Sequence, residues 1–167
     1  IDLENAEAED VHLGATTVTD LTWKETLDLY ACTECGRCQS ACPAWNTGKP
    51  LSPKLLVMNL RDHLFEQGPQ ILEGRAAGAE PEPVPLVPDV IDEEVLWACT
   101  TCGACMQECP VDIEHVDTIV DMRRNLVMGE SRFPAEAGAM LRNLETAGNP
   151  WGLPQAQRGD WTQGLDV

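Results

Sequence analysis

The chain has 167 residues, a formal net charge of −17, and a composition that is 43% hydrophobic but only 5% aromatic. That length supports one domain with tails, and so acidic a surface excludes nucleic acid and anionic lipid as natural partners. The longest plainly apolar run, Leu55-Leu56-Val57-Met58, is too short to cross a bilayer.

The chain starts at Ile1 and shows no signal peptide, and it reads as a segment of a longer protein. Its acidity suits a partner with a basic patch, met by steered and salt-dependent association. The plainer alternative is that the charge only keeps the chain soluble.

Residues 1–18 are acidic and lack periodicity, and are expected to form a mobile arm. Thr22-Trp23-Lys24-Glu25 has the form of a capping box and predicts a helix to about Ala31. Trp23, Leu27 and Tyr30 recur at helical spacing, so they are expected to pack beside the cysteines that follow.

Those cysteines are Cys32, Cys35, Cys38 and Cys42, followed by Pro43; the same C-x2-C-x2-C-x3-C-P spacing returns at Cys99, Cys102, Cys105, Cys109 and Pro110. All eight cysteines of the chain lie in these two runs. This is the spacing by which bacterial ferredoxins hold [4Fe-4S] clusters, with the fourth Cys of each run ligating the other run's cluster. It predicts two clusters, one on Cys32, Cys35, Cys38 and Cys109, the other on Cys99, Cys102, Cys105 and Cys42. Three cysteines in a tight turn wrap three corners of a cube, and the fourth corner is reached from elsewhere. Gly36 and Gly103 occupy matching places and let the backbone approach closely.

Other cysteine chemistries fit less well. Structural zinc uses pairs separated by a longer insert. Disulfides need an oxidising compartment, whereas eight thiols poised for metal suit a reducing one. Haem attachment needs a His directly after a C-x-x-C pair, and neither run has one.

Ser52 and Pro53 are the N-cap and first residue of a helix expected to run to about Gln67, with Gly68 as its C-cap. His63 on this helix is read as a surface or packing residue. Residues 74–89, rich in Gly and Pro, are expected to form an extended connector. Asp92 caps a short helix that delivers Cys99. A helix from about Glu114 to Met128 follows the second run, with His115 exposed at its start, and a last helix runs from near Pro134 to Gly148. Residues 149–167, with Trp151 and Trp161, form an irregular tail that lies against something, such as a downstream domain. The core domain is then residues 19–148.

The halves form an internal repeat: Tyr30-Ala31-Cys32-Thr33 aligns with Trp97-Ala98-Cys99-Thr100, and the register holds through both runs. Each half reads helix, Cys run, helix. The fold class is all-α, a helical ferredoxin with a pseudo-twofold repeat and a long Pro-rich connector. Arg37, Lys49 and Arg123 lie near the cysteines in sequence and could raise a cluster potential or orient a partner, or be ordinary solvated charges. Pro43-Ala44-Trp45-Asn46-Thr47-Gly48-Lys49-Pro50 is expected to wall the first cluster or to form a docking surface.

With these features the chain resembles the α-helical ferredoxin domains of the heterodisulfide-reductase C-subunit type, over about residues 20–150. Such domains also serve as iron–sulfur subunits of glycolate-, lactate- and glycerol-3-phosphate-oxidising enzymes. Thr22-Trp23-Lys24, the first Cys run and residues Pro43 to Leu55 are similar to the membrane-bound electron-transfer flavoprotein:menaquinone oxidoreductases of fatty-acid β-oxidation. That resemblance implies a soluble relay segment on the cytoplasmic side of the cell membrane. Electrons would come from reduced electron-transfer flavoprotein and leave toward menaquinone, through a quinone-reducing membrane region and CCG domains of the full-length protein. The segment would be an electron carrier with no acid–base catalytic residue, and the whole protein a flavoprotein:quinone oxidoreductase. A relay for a hydroxy-acid dehydrogenase or heterodisulfide-type enzyme is the alternative, and a zinc-stabilised interaction module the remote one.

Overall fold

The computed structural model describes residues 13–79 and 82–165. The chain divides into two compact units, Ile1–Glu130 and Ser131–Val167. Among the described residues there are helices and turns but no strand, so the all-α expectation holds.

The first unit opens with a short 3-10 turn at Val18–Asp20, then α1 (Trp23–Ala31), α2 (Arg37–Ala41), α3 (Pro43–Asn46), α4 (Pro53–Ala77), α5 (Glu93–Trp97), α6 (Ala104–Gln107) and α7 (His115–Arg124). A π-helical turn, Asn125–Gly129, closes α7. The core gathers Leu29 from α1, Leu56 and Leu60 from α4, Leu96 from α5, Ile119 and Met122 from α7, and Leu86 from the connector. Each fully buried side chain of this kind contributes about 1.5–3 kcal/mol.

Local signals hold at three helix starts. Thr22 Oγ1 accepts the Glu25 N–H at 3.2 Å while Glu25 Oε2 accepts the Thr22 N–H at 2.7 Å. Ser52 Oγ accepts the Leu55 N–H at 3.1 Å and donates to Gln39 Oε1 at 2.6 Å, so this cap also ties α4 to α2. Asp92 caps α5 through the Glu94 N–H at 2.9 Å.

Other expectations are corrected. Of the arm expected over residues 1–18, the first twelve lie outside the described residues. Residues 14–18 are packed: Ala15 and Val18 are buried, and the Ala15 N–H donates to the Asp121 carbonyl at 3.1 Å. Gly14 (φ +103) is where the chain meets α7, since a Cβ there would stand 2.2 Å from that same carbonyl oxygen. Helix α4 does not stop near Gln67 but continues through Gly68 and Pro69 to Ala77. Pro69 forfeits one backbone bond, but Leu64 and Ile71 on either side keep packing against the core, and that continued burial outweighs the loss. Residues 74–77 of the expected connector are therefore helical, and farther along Leu86, Val87 and Ile91 are buried, anchoring it to the core.

Helix α1 is turned over relative to its periodicity. Trp23, Leu27 and Tyr30 are exposed at 78%, 52% and 57%, while Glu25, Asp28 and Leu29 are buried. The reason is Asp28. Its carboxylate takes both the Lys24 ammonium at 2.6 Å and the Glu114 N–H at 2.9 Å. Facing it inward fastens α1 to the start of α7, where an unpaired backbone donor would otherwise be left.

The second unit holds α8 (Ala135–Ala147), which ends at Gly148 as its spacing predicts, and a 3-10 segment at Gln155–Thr162. Trp151 and Trp161 are exposed at 77% and 73%.

Candidate functional site

The two Cys runs repeat in backbone as well as in sequence. Glu34 and Thr101, at matching places, both take positive φ (57° and 54°), as do Gly36 (80°) and Gly103 (75°). Positive φ is costly for a β-branched residue such as Thr101. At Thr101 it turns the backbone N–H inward, where it reaches Cys99 Sγ at 3.3 Å. The glycines are N-caps of α2 and α6, two short helices that pack against each other, carry the third cysteine of each run and lead into the fourth.

The eight cysteines gather in two groups that exchange their last members. One recess is lined by Cys32, Cys35, Cys38 and Cys109. The other is lined by Cys42, Cys99, Cys102 and Cys105. Electrostatics repeats the grouping. Burial pushes the Cys38 thiol up, and the neighbouring Cys32, Cys109 and Cys35 push it further. Burial raises Cys105 to about 11, with Cys99 and Cys42 adding to it. Both are the third cysteine of their run, so the innermost thiol is held the same way in each half. Cys35 and Cys102, the second of each run, are exposed. The Cys35 thiol is lowered, chiefly by the Arg37 N–H at the start of α2, with the Arg37 charge adding to it.

Cys109 reaches the far recess because of Asp28. Its grip on Glu114, together with Lys24 donating to the Asp112 carbonyl at 3.2 Å, holds residues 109–114 against α1. The Ile113 N–H then points at Cys109 Sγ at 3.4 Å.

The walls differ. Thr33, Glu34, Lys54 and His115 line the first recess beside its cysteines. Pro43, Ala44, Leu51, Pro53, Val116 and Ile119 line the second. The Pro43–Pro50 stretch, expected to wall the first cluster or to form a docking surface, gives Pro43 and Ala44 to the second recess instead of the first, while Trp45 and Lys49 lie exposed and line neither. His115, expected at the surface, is 1% exposed. One ring nitrogen stands 3.0 Å from the Ile113 carbonyl, and burial lowers its pKa and favours the neutral ring. His63 is also buried, in line with a packing role. Arg123 lies against Trp97, 5.0 Å from the ring centroid, and donates to the Cys99 carbonyl at 2.7 Å and to the Leu96 carbonyl. Asp28, Lys54 and His115 were not legible as site residues; only Lys54, a cation in the first turn of a helix against the dipole, left a trace.

The donor set fits iron–sulfur clusters. Among the described residues no three His, Cys, Asp or Glu side chains stand close enough to hold a single metal ion. Each set of four thiols instead surrounds a recess, with N–H groups aimed at sulfur, as cluster binding requires.

Comparison with known proteins agrees. Residues 31–113 match the 4Fe-4S dicluster domain family. The chain is 42% identical to the EtfAB:quinone oxidoreductase of Syntrophomonas wolfei, over 95% of this chain and 24% of that protein. It is 38% identical to a probable membrane-anchored ferredoxin of Chromohalobacter salexigens, over 100% of this chain and 26% of that protein. It is 31% identical to one subunit of a CoB-CoM heterodisulfide reductase of Methanosarcina acetivorans, over 67% of this chain and 58% of that protein. The chain thus spans about a quarter of the length of the first two relatives. Two duplicated cysteine turns, two four-thiol recesses and these relatives lead to one conclusion: the chain belongs to the 4Fe-4S dicluster family, and its cofactors are two [4Fe-4S] clusters.

Proposed function

We propose that Cys32, Cys35, Cys38 and Cys109 hold one cluster and Cys99, Cys102, Cys105 and Cys42 the other. Together they relay electrons from reduced electron-transfer flavoprotein toward menaquinone during fatty-acid β-oxidation. The observation that carries this reading is the exchange of Cys42 and Cys109 between recesses, which sets two redox sites side by side across the packed α2 and α6. A [4Fe-4S] cluster, when bound, accepts and returns single electrons. The protein's part is to wrap it: inward N–H groups and buried third cysteines hold the thiolates, while exposed Cys35 and Cys102 leave one edge of each site near the surface.

The flavoprotein donor and quinone acceptor are supported by the name of the 42% identical relative, an EtfAB:quinone oxidoreductase. A place at the membrane is supported by the relative called membrane-anchored, and the cytoplasmic face is part of the same proposal. No helix among the described residues is long and apolar enough to cross a membrane. On this reading a quinone-reducing membrane region and CCG domains belong to the rest of the polypeptide. The test is to mix the anaerobically loaded protein with reduced electron-transfer flavoprotein and follow loss of the visible cluster absorbance. Fast bleaching is expected, slowed roughly tenfold or more as ionic strength rises, because so acidic a chain meets its donor by electrostatic steering. Clusters that bleach with dithionite but not with the flavoprotein would point to a different donor, such as a hydroxy-acid dehydrogenase or a heterodisulfide-type partner.

A further inference from the structure

The repeat that builds both recesses fails at their charges. Lys54, the second residue of α4, lines the recess of Cys32, Cys35, Cys38 and Cys109. Among the described residues its side chain makes no hydrogen bond and has no carboxylate partner, although it is not fully exposed. The other charged residue on that wall, Glu34, is already paired with Arg61 at 2.9 Å. A helix start is also an unfavourable place for a cation, since the dipole is positive there. Nothing in the described protein compensates Lys54; four thiolates around a cluster would. Arg37 adds a second positive charge felt by Cys35, and its counterpart in the repeat is Ala104.

The recess of Cys42, Cys99, Cys102 and Cys105 has no charged residue on its wall. Arg123, whose charge is felt by Cys99, is engaged with the backbone carbonyls of Leu96 and Cys99 and stacked on Trp97, and does not line the recess. Its role is to position the turn that carries Cys99. An apolar wall opposes the gain of negative charge, whereas an adjacent cation favours it. A thiolate-bound cluster becomes more negative when it takes up an electron.

We propose that Lys54 holds the cluster of Cys32, Cys35, Cys38 and Cys109 at the higher reduction potential of the two, so that electrons pass from the apolar recess to the charged one. No bond forms or breaks; one cluster is oxidised as the other is reduced. This rests on the pairing of cysteines proposed above.

The experiment is a redox titration of the loaded protein monitored by electron paramagnetic resonance, comparing wild type, Lys54→Gln and Lys54→Arg. The higher of two midpoint potentials should fall in Lys54→Gln, the lower should stay, and Lys54→Arg should restore most of the shift. A fall in the lower potential, or no movement in either, overturns the proposal. The same substitution in a Cys42→Ala background, where only the cluster near Lys54 is retained, separates the two claims. A shift there that matches the intact protein supports both. A shift in the intact protein that vanishes there overturns the pairing of cysteines and the proposal with it.

Discussion

The two recesses are built on one backbone and finished with different walls. Both have the positive-φ residue, the glycine cap, the short helix and a third cysteine whose thiol is pushed up by burial and then by its neighbours. Around one stand Lys54, Glu34, Thr33 and His115; around the other, Leu51, Ala44, Val116 and Ile119. What repeats is what grips a cluster, namely sulfur positions and N–H directions, which follow from local turns. What fails to repeat is what sets how readily a cluster takes an electron, namely charge and polarity on the wall. A relay needs both: two sites alike enough to hold the same cofactor and unlike enough to give the electron a direction.

The most severe way to break this comparison is to remove cysteines in pairs. With fourth ligands exchanged, Cys35→Ala with Cys109→Ala strikes one site twice and should leave one cluster's worth of iron. Cys35→Ala with Cys42→Ala should leave almost none. Iron and sulfide analysis after anaerobic loading reads the outcome, and the opposite pattern would mean that each run serves itself. Next in size is Asp28→Ala. It strands the Glu114 N–H and leaves the Lys24 ammonium only the Asp112 carbonyl and the Glu114 carboxylate, and should cost about 2 kcal/mol, the partial exposure of Lys24 keeping it below a fully buried pair. Because Asp28 holds the segment carrying Cys109, the charged recess should lose its cluster faster than the apolar one. Equal loss from both sites, followed by their separate paramagnetic signals, would remove Asp28 from the assembly of that site.

This difference in reach also separates what was legible in the sequence from what was not. The cysteine spacing, the caps at Thr22, Ser52 and Asp92, and the end of α8 at Gly148 depend on residues within a turn of one another, and each could be read directly. The inward face of α1 could not, because Asp28 finds its partner 86 positions away at Glu114. Periodicity alone assigns Trp23, Leu27 and Tyr30 to the core and leaves Asp28 outside, the reverse of what forms. The burial of His115 was hidden for the same reason, since α1 and the first Cys run cover it from a distance in sequence. In α4 the local signal of Gly68-Pro69 was real but weaker than the packing of Leu64 and Ile71 on either side. Closeness in sequence to the cysteines brought Arg37 and Arg123 to notice, and neither lines a recess. Lys54 stands twelve residues beyond the first run's last cysteine and comes back only because α4 folds across it.

Glycine substitution sharpens the comparison at smaller scale. Gly36→Ala and Gly103→Ala should each cost about 1–2 kcal/mol, the penalty of a left-handed conformation for an L-residue. At both positions an added Cβ meets no protein atom within 4 Å, so the cost is conformational only. Near-equal drops in apparent melting temperature, on the order of a few degrees, would show that the two turns are equivalent supports. A much larger drop for one would mean that the wall, and not only the turn, bears on its cluster.

The smallest effect belongs to Trp23. At 78% exposure it makes little contact within the described protein, and Trp23→Ala should change stability by no more than about 0.5 kcal/mol, as ordinary surface substitutions do. Its helical spacing with Leu27 and Tyr30 argues for the opposite, a loss of about 3–5 kcal/mol as for a large aromatic removed from a core. Denaturant unfolding of the loaded protein decides between them. A small change places the stripe outside the fold, leaving Tyr30, 5.4 Å from Phe65 across to α4, on an open apolar surface two residues before Cys32. A large change would mean that α1 is covered in solution, and that the face opposite Asp28 is buried after all. The inward carboxylate makes the small change the expected one: a nine-residue helix with Asp28 and Leu29 held inside cannot also turn Trp23 and Leu27 to the same core.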